Sequence, residues 1–209
     1  ADPVLALKPM VHTLGEDRAR SMPMLEKGKP VLFVSLRPWP QLTDNLSKVA
    51  SALDYMYQKG WQVVFIPFQF KVDYPVCQAC ARLMKGSALV WSKPLAAKDM
   101  LALFSEADYC LGMRLHALIF SAVHKVPMLG LAYDPKVSEF MGELDLEKFA
   151  ITLSGVVKEP INVEDLINGL ELLEAERDNL IAQIGDKVDK MANPLMEVTS
   201  LMEGRVGRY

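Results

Sequence analysis

Short apolar runs alternate along the chain with stretches in which apolar residues recur at helical spacing. The apolar runs predict five buried strands, over residues 31–36, 62–67, 88–91, 109–112 and 127–132. The intervening patterns predict helices beginning at Thr43 or Asp44 and over residues 74–85, 94–104 and 114–125, with another from residue 136. A short strand within 149–153 and a long helix over 163–191 complete the pattern. This alternation is typical of an α/β fold with a doubly wound, Rossmann-like parallel sheet in strand order 3-2-1-4-5.

That strand order predicts where a ligand binds. In such sheets the strand order reverses between strands one and four, and ligands lie outside the carboxyl ends of the strands there. The first strand ends at Arg37 and the fourth at Arg114 and His116, while Lys136 follows the fifth. We therefore expect these four cationic or titratable residues to converge on one crevice.

The corner at residues 112–116 also lacks a helix cap. It carries no Ser, Thr, Asp or Asn, so the free N–H groups of the next helix remain available at its positive end, beside Arg114 and His116. Such a helix start can bind an anion. By contrast, Asp134 followed by Pro135 predicts a capped helix. The alternative for the uncapped corner is that Gly112 only makes the turn, that Arg114 is solvated and that His116 is a half-buried ring with its hydrogen bonds satisfied.

Composition and charge exclude several classes of protein. The chain has 209 residues, 51% of them hydrophobic, and a net charge of -3, which does not indicate a nucleic-acid-binding surface. Its apolar runs are too short for a membrane span, and no GxGxxG follows the first strand. Three cysteines indicate a reducing compartment, and Cys77 and Cys80 are expected to be buried helix residues. We predict no metal site and no cofactor.

Two segments resemble a known family. GMRLHALIFSA at 112–122 and VPMLGLAYDPKVSEF at 126–140 are similar to the C-terminal signature of the polysaccharide pyruvyl transferases, which place a pyruvyl ketal on a cell-wall sugar. Arg37 and the opening Ala-Asp-Pro match more weakly. The resemblance implies phosphoenolpyruvate as donor and a sugar acceptor that is lipid-linked or part of a polymer.

Donor recognition and catalysis then fall to the residues at the strand ends. Arginine binds carboxylate or phosphate bidentately, so Arg37, Arg114, His116 and Lys136 are the expected phosphoenolpyruvate ligands. Ketal formation needs an acid and a base near neutral pH, and His116 is the histidine at a strand-end corner, which makes it the expected catalytic residue. Gln69 and Asp73 follow the second strand, but polar loop residues are usually solvated, and we assign them no role.

The domain organisation follows from the same resemblance. We expect a connector over residues 1–29, a donor-binding domain over 30–160 and a helical segment over 161–209 that packs on it, together the C-terminal half of a two-domain, GT-B-like enzyme. We expect an N-terminal domain that is missing from this chain to hold most acceptor contacts, so the chain alone is expected to be inactive. We expect the enzyme in the cytoplasm, including the inner face of the membrane.

Two other functions stay open. A glycosyltransferase that uses a sugar nucleotide would share the fold and the anion-binding corner, but it would usually have a carboxylate for the ribose where Lys136 stands. The second alternative is a non-catalytic anion-binding module.

Overall fold

Six parallel strands form one sheet in the computed structural model, which describes residues 25–153 and 161–206, without the side chains of residues 41 and 193–206. The strands are β1 (Val31–Ser35), β2 (Gln62–Phe65), β3 (Ala88–Val90), β4 (Tyr109–Gly112), β5 (Met128–Ala132) and β6 (Ala150–Thr152). Their order is β3-β2-β1-β4-β5-β6. The predicted Rossmann-like fold and the order of the first five strands are confirmed, and the short sixth strand extends the sheet beyond β5. Most of the predicted connector lies outside the described residues.

Helices connect these parallel strands. They are α1 (Pro40–Asp44), α2 (Leu46–Gln58), α3 (Phe70–Leu83), α4 (Ala97–Leu103), α5 (Leu115–Val123), α6 (Pro135–Glu143), α7 (Val163–Ala175) and α8 (Arg177–Val206). Short 3-10 turns at Phe104–Glu106 and Glu147–Phe149 precede β4 and β6. The C-terminal helices contact the rest of the fold, because α7 packs against α2 and α8 packs against α5. No helix in the described ranges has the length and apolar content needed to cross a membrane.

The central strands position the candidate site. Every residue of β1, β4 and β5 is buried, as the continuous apolar runs predict for strands covered on both faces. The strand register pairs Ser35 with Gly112 and Gly112 with Gly130. The carboxyl ends of β1, β4 and β5 are therefore almost level, and the loops that follow them leave the sheet side by side.

The helix after β1 begins differently from the prediction. The predicted cap at Thr43 or Asp44 is wrong, because both residues lie in α1, a short helix that begins at Pro40. Proline is favoured at a first helical position because its φ is already helical and its missing N–H has no helical partner there. A break at Asn45 then separates α1 from α2.

The helix after β2 begins earlier than predicted. It starts at Phe70 rather than at residue 74, so Pro75 lies inside α3. The start is held by Asp73, whose Oδ2 accepts the backbone N–H of Gln69 at 2.8 Å. The segment treated as a polar loop in the sequence is thus an ordered helix start, and it carries a buried carboxylate.

Candidate functional site

A cavity of about 440 Å³ opens at the carboxyl edge of the sheet. Its walls come from the loop after β2, the segment before α4 and the first turn of α4, the first turns of α5 and the residue after β5. The lining side chains are mainly apolar: Phe68, Gln69, Leu95, Ala97, Met100, Arg114, Leu115, His116, Phe120 and Tyr133. A concave, largely apolar pocket with a few convergent polar groups is the usual form of a small-molecule site.

The uncapped helix start at this cavity is confirmed. Arg114 is the N-cap of α5, with extended backbone angles, and no side chain caps the helix there. At the next corner, the Asp134 carboxylate accepts the N–H of Lys136 at 3.0 Å and caps α6, as predicted. The start of α5 therefore presents backbone N–H groups to the cavity, and the start of α6 does not.

Arg114 is paired rather than free. Its Nε donates to Asp73 Oδ2 at 3.1 Å and its Nη2 donates to Asp73 Oδ1 at 2.6 Å. Nη2 also donates to Gln69 Oε1 at 2.9 Å. The Asp73 side chain is fully buried and that of Arg114 is 12% exposed. Asp73 thus neutralises the guanidinium, so Arg114 gives the cavity oriented donors without net positive charge.

Arg37, unlike Arg114, is not paired with a carboxylate among the described residues. Its Nη1 donates to the Tyr133 hydroxyl at 2.8 Å, and its guanidinium carbon lies 4.6 Å from the centre of the Tyr133 ring. Trp39 is also close, with its ring centre 5.8 Å from that carbon. Among the described residues, no carboxylate forms an ion pair with Arg37, and its buried Nε has no hydrogen-bond partner. Arg37 does not line the cavity itself, but it contacts Tyr133, which does.

His116 is exposed in the first turn of α5. It lines the cavity, and its ring meets Phe120 edge to face at a centroid distance of 6.1 Å. An exposed ring in the lining can contact a molecule bound in the cavity.

Lys136 lies farther out. Its side chain is exposed at the start of α6 and is not part of the cavity lining. The structure thus brings Arg114 and His116 into one cavity, connects Arg37 to it through Tyr133, and leaves Lys136 on the neighbouring surface.

Unpaired donors mark the same edge of the sheet. Among the described side chains, four buried polar atoms lack a hydrogen-bond partner: Ser35 Oγ, Arg37 Nε, Trp39 Nε1 and Trp91 Nε1. Ser35 ends β1, Arg37 and Trp39 follow it, and Trp91 follows β3. Buried donors without partners are costly in a folded protein. Their collection at the carboxyl edges of β1 and β3 favours this edge as the place where a polar ligand binds.

The cysteines belong to the core. Cys77 and Cys80 are buried in α3, as predicted, and Cys110 is buried in β4. Burial raises the pKa of each thiol to about 12. These thiols are therefore protonated near neutral pH and are poor nucleophiles.

The family model for polysaccharide pyruvyl transferase matches residues 1–135 of the chain. The chain belongs to the polysaccharide pyruvyl transferase family. The match includes Arg37, Arg114 and His116 and ends immediately before Lys136. The comparison with curated proteins finds no match.

Solved structures resemble the fold of this family member. The S. aureus MnaA–UDP co-structure is 13% identical with a TM-score of 0.61, over 94% of this chain and 53% of that one. The UDP-GlcNAc 2-epimerase from Neisseria meningitidis bound to UDP-GlcNAc is 10% identical with a TM-score of 0.61, over 94% and 54%. A family 9 glycosyl transferase from Veillonella parvula is 13% identical with a TM-score of 0.53, over 83% of this chain and 52% of that one. The chain thus shares the Rossmann-like α/β fold of these structures and spans about half of their length.

Sequence reasoning left two residues of this site unassigned. Gln69 lines the cavity, and Asp73 holds Arg114. One signal was available: Asp73 stands directly before the predicted helix. An acidic residue there is also typical of the first turn of a helix, so it does not by itself indicate a site. The partner of Asp73, Arg114, is 41 positions away in the sequence, and the two come together only because β2 and β4 both pair with β1, one on each side.

Proposed function

We propose that this chain binds phosphoenolpyruvate and transfers its pyruvyl group, as a ketal, to a sugar of a cell-wall or extracellular polysaccharide. In this proposal the chain supplies the donor-binding, C-terminal part of a two-domain enzyme. The observation that carries it is the position of Arg37, a cation without a carboxylate partner in the described residues, beside the cavity that holds Arg114 and His116. Family membership supports the reaction class.

Donor recognition uses two different arginines. Phosphoenolpyruvate carries a phosphate and a carboxylate, and a planar guanidinium can bind either group with two parallel hydrogen bonds. Because no carboxylate of residues 25–153 or 161–206 pairs with it, Arg37 supplies the net attraction for the anion. Arg114 adds directed hydrogen bonds, and the uncapped N-terminus of α5 adds backbone N–H donors.

The reaction adds two sugar hydroxyls to C2 of the donor and releases phosphate as the leaving group. One sugar hydroxyl loses its proton and bonds to C2 of the enolpyruvyl group, while C3 gains a proton. The second hydroxyl then bonds to C2, its proton is removed and the C2–O–phosphate bond breaks, so the ketal and inorganic phosphate leave. His116 is the residue we propose to move these protons, because it lines the cavity with an exposed ring.

Lys136 has a supporting part in this proposal. A flexible ammonium on the surface beside the cavity can reach the phosphate of a bound donor and draw anions toward the site. The acceptor is a lipid-linked or polymeric sugar, which we place on the open side of the cavity.

A second candidate is the use of a sugar nucleotide. The apolar wall formed by Phe68, Leu95, Met100 and Phe120 suits a flat, largely apolar ring such as a nucleoside base. Two of the structures with the same fold were determined with UDP or UDP-GlcNAc. The exposed Lys136 after β5, in place of a carboxylate for a ribose, favours phosphoenolpyruvate.

A competition experiment separates these functions. Calorimetry measures the heat of binding of phosphoenolpyruvate to this chain, alone and in the presence of saturating UDP. The proposal expects saturable binding of phosphoenolpyruvate that UDP does not abolish. Saturable binding of UDP with no binding of phosphoenolpyruvate would instead establish the sugar-nucleotide function.

A further inference from the structure

Asp73 and Gln69 hold Arg114 in one orientation. The Asp73 carboxylate engages one edge of the guanidinium through Nε and Nη2, at 3.1 and 2.6 Å. The remaining proton of Nη2 goes to Gln69 Oε1 at 2.9 Å. Three of the five N–H donors of Arg114 are therefore used inside the protein.

The same contacts close a ring. Gln69 donates its backbone N–H to Asp73 Oδ2 and accepts from Arg114 through its side chain, while Asp73 accepts from both residues. The ring joins the segment after β2 to the segment after β4, on either side of β1. A fully buried carboxylate at its centre has little freedom to move.

One edge of the Arg114 guanidinium is left without a partner in the described part of the protein. Within residues 25–153 and 161–206, Nη1 has no hydrogen-bond partner, and Arg114 is part of the cavity lining. A guanidinium that is fixed along one edge presents its two Nη1 protons in a constant direction. Such a group distinguishes ligands by shape, whereas a mobile charge distinguishes them mainly by charge.

We propose that Asp73 is a positioning residue which, with Gln69, orients Arg114 so that the cavity selects phosphoenolpyruvate over simpler anions such as inorganic phosphate. This inference rests on the proposed function. Asp73 itself touches Arg114 and the start of α3, and it acts on the ligand only through them. Because Asp73 cancels the charge of Arg114, its contribution is selectivity rather than attraction.

The test is the substitution Asp73→Asn, which keeps the shape of the side chain. An asparagine has one carbonyl oxygen where three donors, Gln69 N–H, Arg114 Nε and Arg114 Nη2, now meet a carboxylate. Its NH₂ group cannot accept a hydrogen bond, so Arg114 loses one of its fixed contacts while its charge is no longer cancelled. Dissociation constants for phosphoenolpyruvate and for inorganic phosphate are measured by calorimetry on the same preparation.

The expected result is a change in the ratio of the two constants. Phosphoenolpyruvate binding should weaken by roughly tenfold, because a displaced Arg114 would lose one charge-assisted hydrogen bond to the donor. Phosphate binding should be unchanged or tighter, since a neighbouring negative charge is removed. A purely structural role would weaken both ligands together or neither.

Asp54→Asn is the matched control. Asp54 is also a buried carboxylate, and it accepts the backbone N–H groups of Lys85 and Gly86 away from the cavity lining. The substitution should lower stability but leave the phosphoenolpyruvate-to-phosphate ratio as in the parent. If Asp73→Asn also keeps the parent ratio, the positioning inference is wrong and the proposed function stands. A parent chain that binds no phosphoenolpyruvate overturns the proposed function and this inference with it.

A second measurement needs only the parent protein. Exchange of the Arg114 Nε proton with solvent, followed by NMR, should be much slower than that of Arg82, which is exposed on α3. Equal exchange rates for the two arginines would show that Asp73 does not hold the guanidinium, and would overturn the inference without reference to any ligand.

Discussion

Gly112 packs directly against Leu118 of α5, and adding one methyl group there should displace the start of that helix. A Cβ at this position would lie 2.6 Å from Leu118 Cδ2 and 3.1 Å from Leu118 Cγ. Carbon atoms in contact normally lie about 3.5–4.0 Å apart, so Leu118 must move by roughly 1 Å. Leu118 is fully buried in α5, one helical turn beyond Leu115.

The cost follows from the packing. Overfilling a well-packed core typically costs about 1–3 kcal/mol, and we expect Gly112→Ala to lower the free energy of unfolding within that range. The same substitution at Gly130, the residue paired with Gly112 in β5, is the control. There the new Cβ would lie 3.2 Å from Met141 Cγ and 3.3 Å from its Sδ. A flexible methionine can adjust, so we expect less than about 1 kcal/mol.

Urea unfolding followed by circular dichroism measures both free energies. Because α5 carries Arg114 and His116 at its start, Gly112→Ala should also weaken phosphoenolpyruvate binding, and Gly130→Ala should not. If the two variants are equally stable, or if Gly112→Ala binds the donor as the parent does, the close packing of β4 on α5 does not position the site.

Three further results are expected. Burial raises the pKa of the Cys110 thiol to about 12, so the unfolded chain loses this proton at a lower pH than the folded chain does. The folded state therefore loses free energy relative to the unfolded state as the pH rises from about 9 toward 12. Between pH 8 and 10.5 the parent should therefore lose roughly 2 kcal/mol more stability than Cys110→Ala, and equal losses in urea titrations would contradict the burial. Replacing Asp134 by alanine removes the cap of α6 and should cost about 0.5–2 kcal/mol, measured by thermal unfolding, whereas an unchanged melting temperature would show that the cap is dispensable. Lys136→Met should weaken phosphoenolpyruvate binding by less than Arg37→Gln does, about 0.2–1 kcal/mol as for an exposed charge pair, without loss of stability because the Asp134 cap remains. Equal donor affinity would make Lys136 a surface residue only.

The central fold could be predicted because its signals are local. The fully buried strands β1, β4 and β5 appear in the sequence as continuous apolar runs, and Asp134-Pro135 is a helix start written in adjacent residues. Two helix starts were misplaced: the proline at Pro40 was interpreted as part of an extended loop, and the start at Phe70 has no capping side chain at its N-cap residue. The start at Phe70 is stabilised by the carboxylate of Asp73, which accepts the N–H of Gln69, and propensity alone favoured a start beside Pro75.

The candidate site could be predicted only in part, for a similar reason. The strand order inferred from the sequence was enough to predict that Arg37, Arg114 and His116 lie at one edge of the sheet. The state of each charge depended on partners distant in sequence: Tyr133 for Arg37, 96 positions away, and Asp73 for Arg114, 41 positions away. From the sequence, both arginines were predicted to be free cations. Their contacts show that Arg114 is paired with a carboxylate and that Arg37 contacts Tyr133.

The most direct test of the donor site is the affinity of phosphoenolpyruvate for Arg37→Gln, with Arg82→Gln as the matched loss of an exposed arginine. Because Arg37 has no carboxylate partner among the described residues, it should carry the net attraction for the anion. Calorimetry should show a loss of roughly 1.5–3 kcal/mol in binding free energy, about 10- to 150-fold in Kd, with Arg82→Gln close to the parent. Equal affinity for all three proteins would place the donor elsewhere and contradict the assignment of this edge as the phosphoenolpyruvate site.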